Sequence, residues 1–458
     1  MRFFKVDGQW SIDENEKKQM AGTLTFSKKG LRLKLLGSFR KGWSPTAGST
    51  YPSIRGIVEK NPFGNFVTLY DCFTNSTSFN NVGIGSESIR ANRAILGDDH
   101  PPRGPHLFES LSVRFTHLAD WVGWNNFDDE WRTDGRLGVS IQYTKPEDIS
   151  FQVDDVILKV STSFGSSASV GRATVKEKTH LVIEPIRGTS VERASDKYLY
   201  RLQNLLTFAT DSPNENDENL LFGDRISCGG SHLPKKFHIF SAPIFRRKGR
   251  AGRLSEGDML FGLDDARKAG VNIFQSWFDF VKRHESFTII YFAHVYRRPY
   301  YLDDKFRSIM SAFNIYCISA FETSERAGTI LAAVNSIIGP AYDARERSSL
   351  EGAIPIGPEL DMPFHMLRLL NENKEVMSRI ISGDFLDFVT SACLTLSSIE
   401  RGSSSKDDRV FQGSDIYYVT EKLRWLMKIV ILKELGFSNE HVTMYAERNS
   451  SFIHLTTV

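Results

Sequence analysis

Residues 418–437 read YVTEKLRWLMKIVILKELGF, and their periodicity decides the fold of the second half of the chain. Val419, Leu423, Leu426 and Val430 recur at three- and four-residue spacing on one helical face, while Trp425, Ile429 and Leu432 occupy a second. A helix apolar on both sides must be covered on both. The segment therefore predicts an interior helix of a bundle, running from Asp415 to Leu435 and stopped at Gly436.

Upstream, the same period predicts helical structure from about Leu263 onward. Ile273, Trp277 and Phe280 share a face, as do Phe306, Ile309, Phe313, Tyr316 and Ala320. Further helices are expected over 363–381, with Pro363 suited to the first turn, and over 384–399. The first two hundred residues carry a different signal, in which apolar residues alternate and turn residues punctuate them. Leu24 and Phe26, then Leu31, Leu33 and Leu35, flank the turn Ser27-Lys28-Lys29-Gly30, which predicts a hairpin. Similar runs lie at 54–58, 66–69, 111–115, 156–164 and 174–183, so an all-β sandwich or barrel is expected. At Ser195 the period returns to helical, with Leu199, Leu202 and Leu206 on one face, and a helix over about 195–210 closes this domain. Residues 211–219, DSPNENDEN, read as a polar loop, with a few strand-like segments following.

The fold class is thus α+β multidomain. The expected division is a β-rich domain over 1–245, a basic linker over 246–262, a helical bundle over 263–440 and a tail over 441–458. A length of 458 residues also exceeds what one core usually supports.

With 41% hydrophobic and 24% charged residues, the composition is that of a folded soluble protein. A net charge of +2 is too mild to argue for a nucleic-acid coat by itself, so any RNA contact must be a local patch. Cys72, Cys228, Cys317 and Cys393 are far apart and show no zinc spacing, which fits reduced thiols in a cytoplasmic protein. The opening MRFFKVDGQW does not read as a secretory signal, and no run approaches the apolar length of a membrane helix. No Walker loop, His-Glu-x-x-His or Gly-x-Ser-x-Gly is present. Gly83-Ile84-Gly85 lacks the third glycine of a dinucleotide fingerprint because Ser88 stands there. No cofactor and no metal are expected.

Several stretches in order along the chain resemble the ApeA-like HEPN proteins of bacterial phage defence. The segment 418–437 is similar to the final core helix of that HEPN domain, with its T-x-K-L-R and L-K-E-L-G-F patterns. Gly8-Gln9-Trp10, the Gly22 hairpin, YPSIRG (51–56), VTLYDC (67–72), LADWVGW (118–124) and YLYRLQNLLTFAT (198–210) resemble the β domain that precedes it. The resemblance implies an antiphage, abortive-infection protein whose HEPN bundle cleaves RNA on infection, as a homodimer or with a hetero-partner joined through the bundle. It also implies a phage-derived trigger.

HEPN ribonucleases pair an Arg with a His separated from it by four to six intervening residues, where the His takes the 2′-hydroxyl proton and the Arg holds the phosphate, without a metal. The resemblance places that motif one loop before the last helix, where this chain reads TSACLTLSS (390–398). Ala392 stands at the Arg position, Cys393 at the residue after it and Ser397 at the His position. In SAFNIYC (311–317), Asn314 and Cys317 likewise replace the acid and the His of the family's early helix. The expected activity is therefore non-catalytic binding of RNA, a phage component or a partner. The alternative is an active metal-independent endoribonuclease using displaced residues.

Three other Arg and His pairs have the right spacing, namely Arg93 with His100, Arg225 with His232 and Arg448 with His454, and chance alone supplies such matches. Only Arg448 is followed by Asn, at 449, and lies in the helical half, so Arg448 and His454 are the alternative catalytic pair. Arg246, Arg247, Lys248, Arg250 and Arg253 form a basic loop able to contact RNA phosphates or to remain solvated. FTIIYFAHVYRRPYY (287–301) reads as packing more readily than as a base-stacking platform beside Arg297 and Arg298, and His284, His294 and His365 as ordinary core or surface histidines.

Overall fold

The structure, a computed structural model, describes residues 3–12, 19–39, 49–78, 85–100, 108–132, 138–186, 195–228, 231–241, 251–296, 301–321, 361–402 and 407–457. It contains two compact units, one of residues 1–208 and 214–253, the other of residues 209–213 and 254–458.

In the first unit, β1 (Phe4–Ile12), β2 (Met20–Ser27), β3 (Gly30–Leu36), β4 (Thr50–Val58), β5 (Phe66–Ser78) and β6 (Ser86–Gly97) pair in the order β6-β3-β2-β1-β4-β5. Because β5 pairs back onto β6, these six antiparallel strands close into a barrel. The predicted hairpin holds, with Ser27 opposite Gly30, whose φ of 89° the tight turn demands. Alternation does the rest: Leu24, Phe26, Leu31, Leu33, Leu35, Ile54, Val67, Leu69 and Ile89 all point into the barrel and are buried. Trp10 fills its interior and donates its indole N–H to Gly22 O at 3.0 Å. A Cβ on Gly56 would lie 2.4 Å from the Trp10 ring, so the strand that carries YPSIRG needs glycine there.

From β6 the sheet continues through β14 (Ser231–Ser241), β13 (Asn216–Cys228), β7 (Ser110–Phe115), β12 (Arg172–Pro185) and β11 (Val156–Ser169) to β10 (Ile149–Val153). A separate ribbon pairs β8 (Phe127–Arg132) with β9 (Gly138–Tyr143). Helix α1 (Leu118–Val122) is the LADWV segment, and α2 (Tyr200–Ala209) follows a π-helical turn over Ser195–Leu199. The stretch read as a loop over 211–219 differs in part, since β13 already begins at Asn216 and pairs with both β7 and β14. Pairing on both sides supplies the hydrogen bonds that its polar composition did not announce.

The second unit is helical: α3 (Leu263–Lys268), α4 (Ile273–Arg283), α5 (Glu285–Tyr296), α6 (Leu302–Ala320), α7 (Asp361–Glu372), α8 (Lys374–Met377), α9 (Phe385–Arg401), α10 (Ser414–Glu434), α11 (Asn439–Arg448) and α12 (Ser450–Thr456). Asn272, Asp384, Ser438 and Asn449 cap helix starts by accepting backbone N–H groups. The helix expected over 363–381 is broken at Asn373, whose side chain bonds back to Leu369 O at 2.7 Å and whose own conformation ends α7. Helix α10 is as predicted, with Leu423, Trp425, Leu426, Met427, Ile429, Ile431 and Leu432 all buried. Beyond Gly436, at φ 97°, the chain turns into α11 and α12, which bury Val442, Tyr445, Ala446, Phe452 and Leu455. None of the helices described is long and apolar enough to cross a membrane.

Candidate functional site

Helix α10 carries one polar stripe through its apolar surroundings: Tyr417, Glu421, Arg424 and Lys428, spaced four, three and four residues apart. Lys428 is 1% exposed, and its ammonium donates to Asp211 Oδ2 at 2.7 Å while lying 4.3 Å from the centroid of the Trp425 ring. Arg424 donates to both Glu421 oxygens, at 3.0 and 2.7 Å, and its second nitrogen lies 3.8 Å from Asp211. Two cations thus meet two carboxylates, the pairing that buried charge requires. Burial holds the Lys428 ammonium below its usual pKa range against the pull of Asp211. Asp211 reaches this position with a φ of 46°, a left-handed conformation that Asp tolerates better than most residues.

Helix α5 faces the quartet with Tyr291 and His294. Burial pushes the Tyr291 hydroxyl well above the usual range. Burial, reinforced by the nearby Arg424, pushes the His294 imidazole down to about 4, and its Nδ1 is buried with no hydrogen-bond partner among the described residues. An imidazole that titrates near 4 is neutral at physiological pH but a weak general base, because its conjugate acid is too strong to hold a substrate proton.

A second polar cluster joins α4, α6 and the end of α10. Glu434 accepts from Tyr316 Oη at 3.0 Å and from Arg283 at 2.7 Å. His284, 3% exposed, places Nδ1 2.8 Å from Ser319 Oγ and Nε2 3.9 Å from Glu434, and burial lowers its pKa below the ordinary value.

Of the positions where the family resemblance implies catalysis, Ala392 and Cys317 are buried, and Cys393, Ser397 and Asn314 are half-buried. Ala392 is 0% exposed within α9, and burial pushes the Cys393 thiol up to about 12, far from a reactive thiolate. Ser397 is half-buried one turn further on. Asn314 is half-buried and Cys317 buried on α6, a helix that packs against α9. Thr395, between Ala392 and Ser397, is fully buried and accepts the Phe411 N–H at 2.9 Å.

Arg448 and His454 lie on different helices, the last residue of α11 and the middle of α12, separated by the capping Asn449. Both terminal nitrogens of Arg448 donate to Asp265, at 3.3 and 2.6 Å, and one also faces Leu260 O at 3.5 Å. Burial works against ionisation of Asp265, but the Arg448 hydrogen bond wins and holds its pKa below the usual range. Asn449 is 1% exposed and donates to Met259 O at 3.2 Å, whereas His454 is exposed. Arg246, Arg247, Lys248 and Arg250 lie outside the described residues, as do Arg297 and Arg298. Arg253 is exposed, 3.9 Å from Asp120. The aromatics of 287–296 are core: Phe287, Tyr291, Phe292 and Tyr296 are all buried, with Phe287 against Phe280 and Phe292 against Trp277.

Sequence reasoning missed Asp211 and the charged stripe of α10. The signal for the stripe was present in Glu421, Arg424 and Lys428 at helical spacing on a helix otherwise apolar, but nothing in a polar loop marks Asp211 as their partner.

Fold and site together define a two-unit protein, an antiparallel barrel extended into a larger sheet and followed by a helical unit with buried ion pairs. The family of the ApeA N-terminal domain 1 matches residues 5–277, more than half of the chain, and the protein belongs to that family. No curated protein and no solved structure matches it.

Proposed function

We propose that this chain is an ApeA-like antiphage-defence protein of the abortive-infection type, acting in the cytoplasm. In this reading its HEPN-like helical unit binds RNA, a phage-derived trigger or a partner HEPN chain without cleaving RNA itself. The observation that carries it is the burial of Ala392 at the motif position, with Cys393 held as a neutral thiol beside it. A buried methyl group offers no cation to a phosphate whose charge redistributes, and no imidazole stands at Ser397 to take the 2′-hydroxyl proton. The displaced pair gains no support from its surroundings, because Arg448 is held by Asp265. Losing the reaction while keeping the bundle leaves binding, or pairing with an intact HEPN partner whose site this chain completes or restrains.

The test is cleavage of total cellular RNA by the purified full chain in EDTA, beside Arg448→Ala and His454→Ala variants. Intact RNA from folded protein is the expected result. Cleavage that disappears in either variant overturns the reading and moves the active site to the last two helices. Mixing with a partner that carries an intact motif then separates a scaffold, which changes the partner's rate, from a bystander.

A further inference from the structure

Strands β11 and β12 outrun the sheet that supports them. Strand β10 covers β11 only over residues 156–160, and β7 covers β12 only over 181–183. Beyond those limits the two strands pair, among the described residues, only with each other, out to Ser169 opposite Arg172. From Ser163 to the tip the ribbon is exposed on both strands apart from the half-buried Thr174 and Glu177, and at seven residues per strand it extends roughly 20 Å.

Residues directly opposite in an antiparallel pair share a face, so the register sorts the ribbon's side chains. One face carries Phe164 opposite Glu177 and Ser166 opposite Val175. At its base it packs on the β8–β9 ribbon, with the Phe164 and Tyr143 rings 4.8 Å apart and Asn126 donating to Glu177 at 2.6 Å. The other face pairs Lys178 with Ser163, Lys176 with Gly165, Thr174 with Ser167 and Arg172 with Ser169. Of these eight residues none is acidic and none is apolar. Neither Arg172 nor Lys176 has a carboxylate partner among the described residues, and the small residues opposite leave their side chains unobstructed.

We propose that this face of the β11–β12 ribbon docks duplex DNA in its major groove. A B-form major groove admits a two-stranded ribbon, and Arg, Lys, Thr and Ser are the residue types that reach its base edges and flanking phosphates. The same chemistry argues against the other polyanions. An A-form RNA duplex has a deep, narrow major groove closed to such a ribbon. Single strands are held by stacking on aromatic rings, and the one aromatic of the ribbon, Phe164, lies on the opposite face. An anionic membrane surface engages apolar anchors beside the cations, and this face has none. The site belongs to the barrel unit's sheet and is independent of the motif positions of the helical unit, so it stands or falls apart from the loss of ribonuclease chemistry.

The experiment is fluorescence anisotropy of the full-length protein with a labelled, mixed-sequence DNA duplex of about two helical turns, over a salt series. Competitors are unlabelled single-stranded DNA and duplex RNA of the same length. The triple variant Arg172→Ala, Lys176→Ala, Lys178→Ala is expected to bind roughly tenfold or more weakly at low salt, with the slope of log affinity against log salt shallower by about 3. Removing Lys28 and Lys29, exposed at the β2–β3 turn, controls for net charge and is expected to leave affinity within about twofold. The proposal is overturned by a triple variant that binds like the wild type, by an equal loss in the Lys28 and Lys29 variant, by preference for RNA or single strands, or by no binding to duplex DNA.

Discussion

Acidification should unfold the helical unit in a way that a single residue explains. Burial and the neighbouring Arg424 and Lys305 outweigh the opposing pull of Glu421 and push His294 from its ordinary 6.5 down to about 4. In the unfolded chain the imidazole takes up its proton near 6.5, whereas in the folded chain it waits until about 4. Between those values the unfolded state holds more protons, so the stability this group supplies is complete above about 6.5 and lost as pH falls to about 4. At about 1.4 kcal/mol per pH unit the window corresponds to about 3 kcal/mol. The measurement is urea unfolding followed by circular dichroism at the helical minimum, which reports the helical unit, at a series of pH values for wild type and His294→Asn. Carboxylates elsewhere titrate equally in both proteins and cancel in the comparison. The wild type is expected to lose about 3 kcal/mol more than the variant across the window, and parallel losses would refute the reasoning.

Two further substitutions probe buried charge. Lys428→Ala leaves Asp211 facing only a 3.8 Å contact to Arg424 and should destabilise the helical unit by about 3–5 kcal/mol, while pairing Lys428→Met with Asp211→Asn recovers most of that loss. A thermal melt of Lys428→Ala that overlays the wild type would show that the pair holds nothing. In the barrel, Glu87 is 0% exposed and accepts from Ser38 Oγ, Phe39 N, Tyr51 Oη and Thr74 Oγ1 at 2.7–3.3 Å. Glu87→Ala removes the shared acceptor of four hydrogen bonds inside the barrel, a loss of about 1–3 kcal/mol or more, so the barrel's unfolding midpoint should drop sharply and Glu87→Gln should drop it less.

The parts of the fold legible in the sequence are those that a local period encodes. The hairpin at Ser27–Gly30, the runs that became β4, β5, β7, β11 and β12, and the two-faced helix α10 all follow from which residues had to be buried. Closure of the barrel was not legible, because the choice between sandwich and barrel rests on β5 pairing back to β6, a contact that no alternation pattern contains. The break at Asn373 and the start of β13 at Asn216 were missed for a related reason, since each depends on a hydrogen bond that competes with or overrides the composition around it. Asp211 shows the limit most clearly. A carboxylate in DSPNENDEN reads as solvated, and only the position of Lys428, more than two hundred residues away, makes it the partner of a buried ammonium.

The residues that carry the family resemblance in α10 are structural ones. In the T-x-K-L-R pattern, Thr420 donates to Ile416 O at 2.5 Å, Leu423 is 1% exposed and Arg424 closes the ion pair with Glu421. In L-K-E-L-G-F, Glu434 receives Tyr316 and Arg283, Gly436 supplies the left-handed turn, and Leu432, Leu435 and Phe437 are buried. Each of these residues is constrained by packing or by a buried charge whose partner cannot be abandoned cheaply. On the reading proposed above, Ala392 and Ser397 lie under a different constraint, one set by a reaction and not by the fold, and Ala392 is fully buried within α9. On that reading a chain keeps the structural marks of a fold while its chemistry changes, since the two are written in different residues. The same separation locates where a further function is to be sought: on exposed surfaces such as the β11–β12 ribbon, where the core does not dictate the side chains.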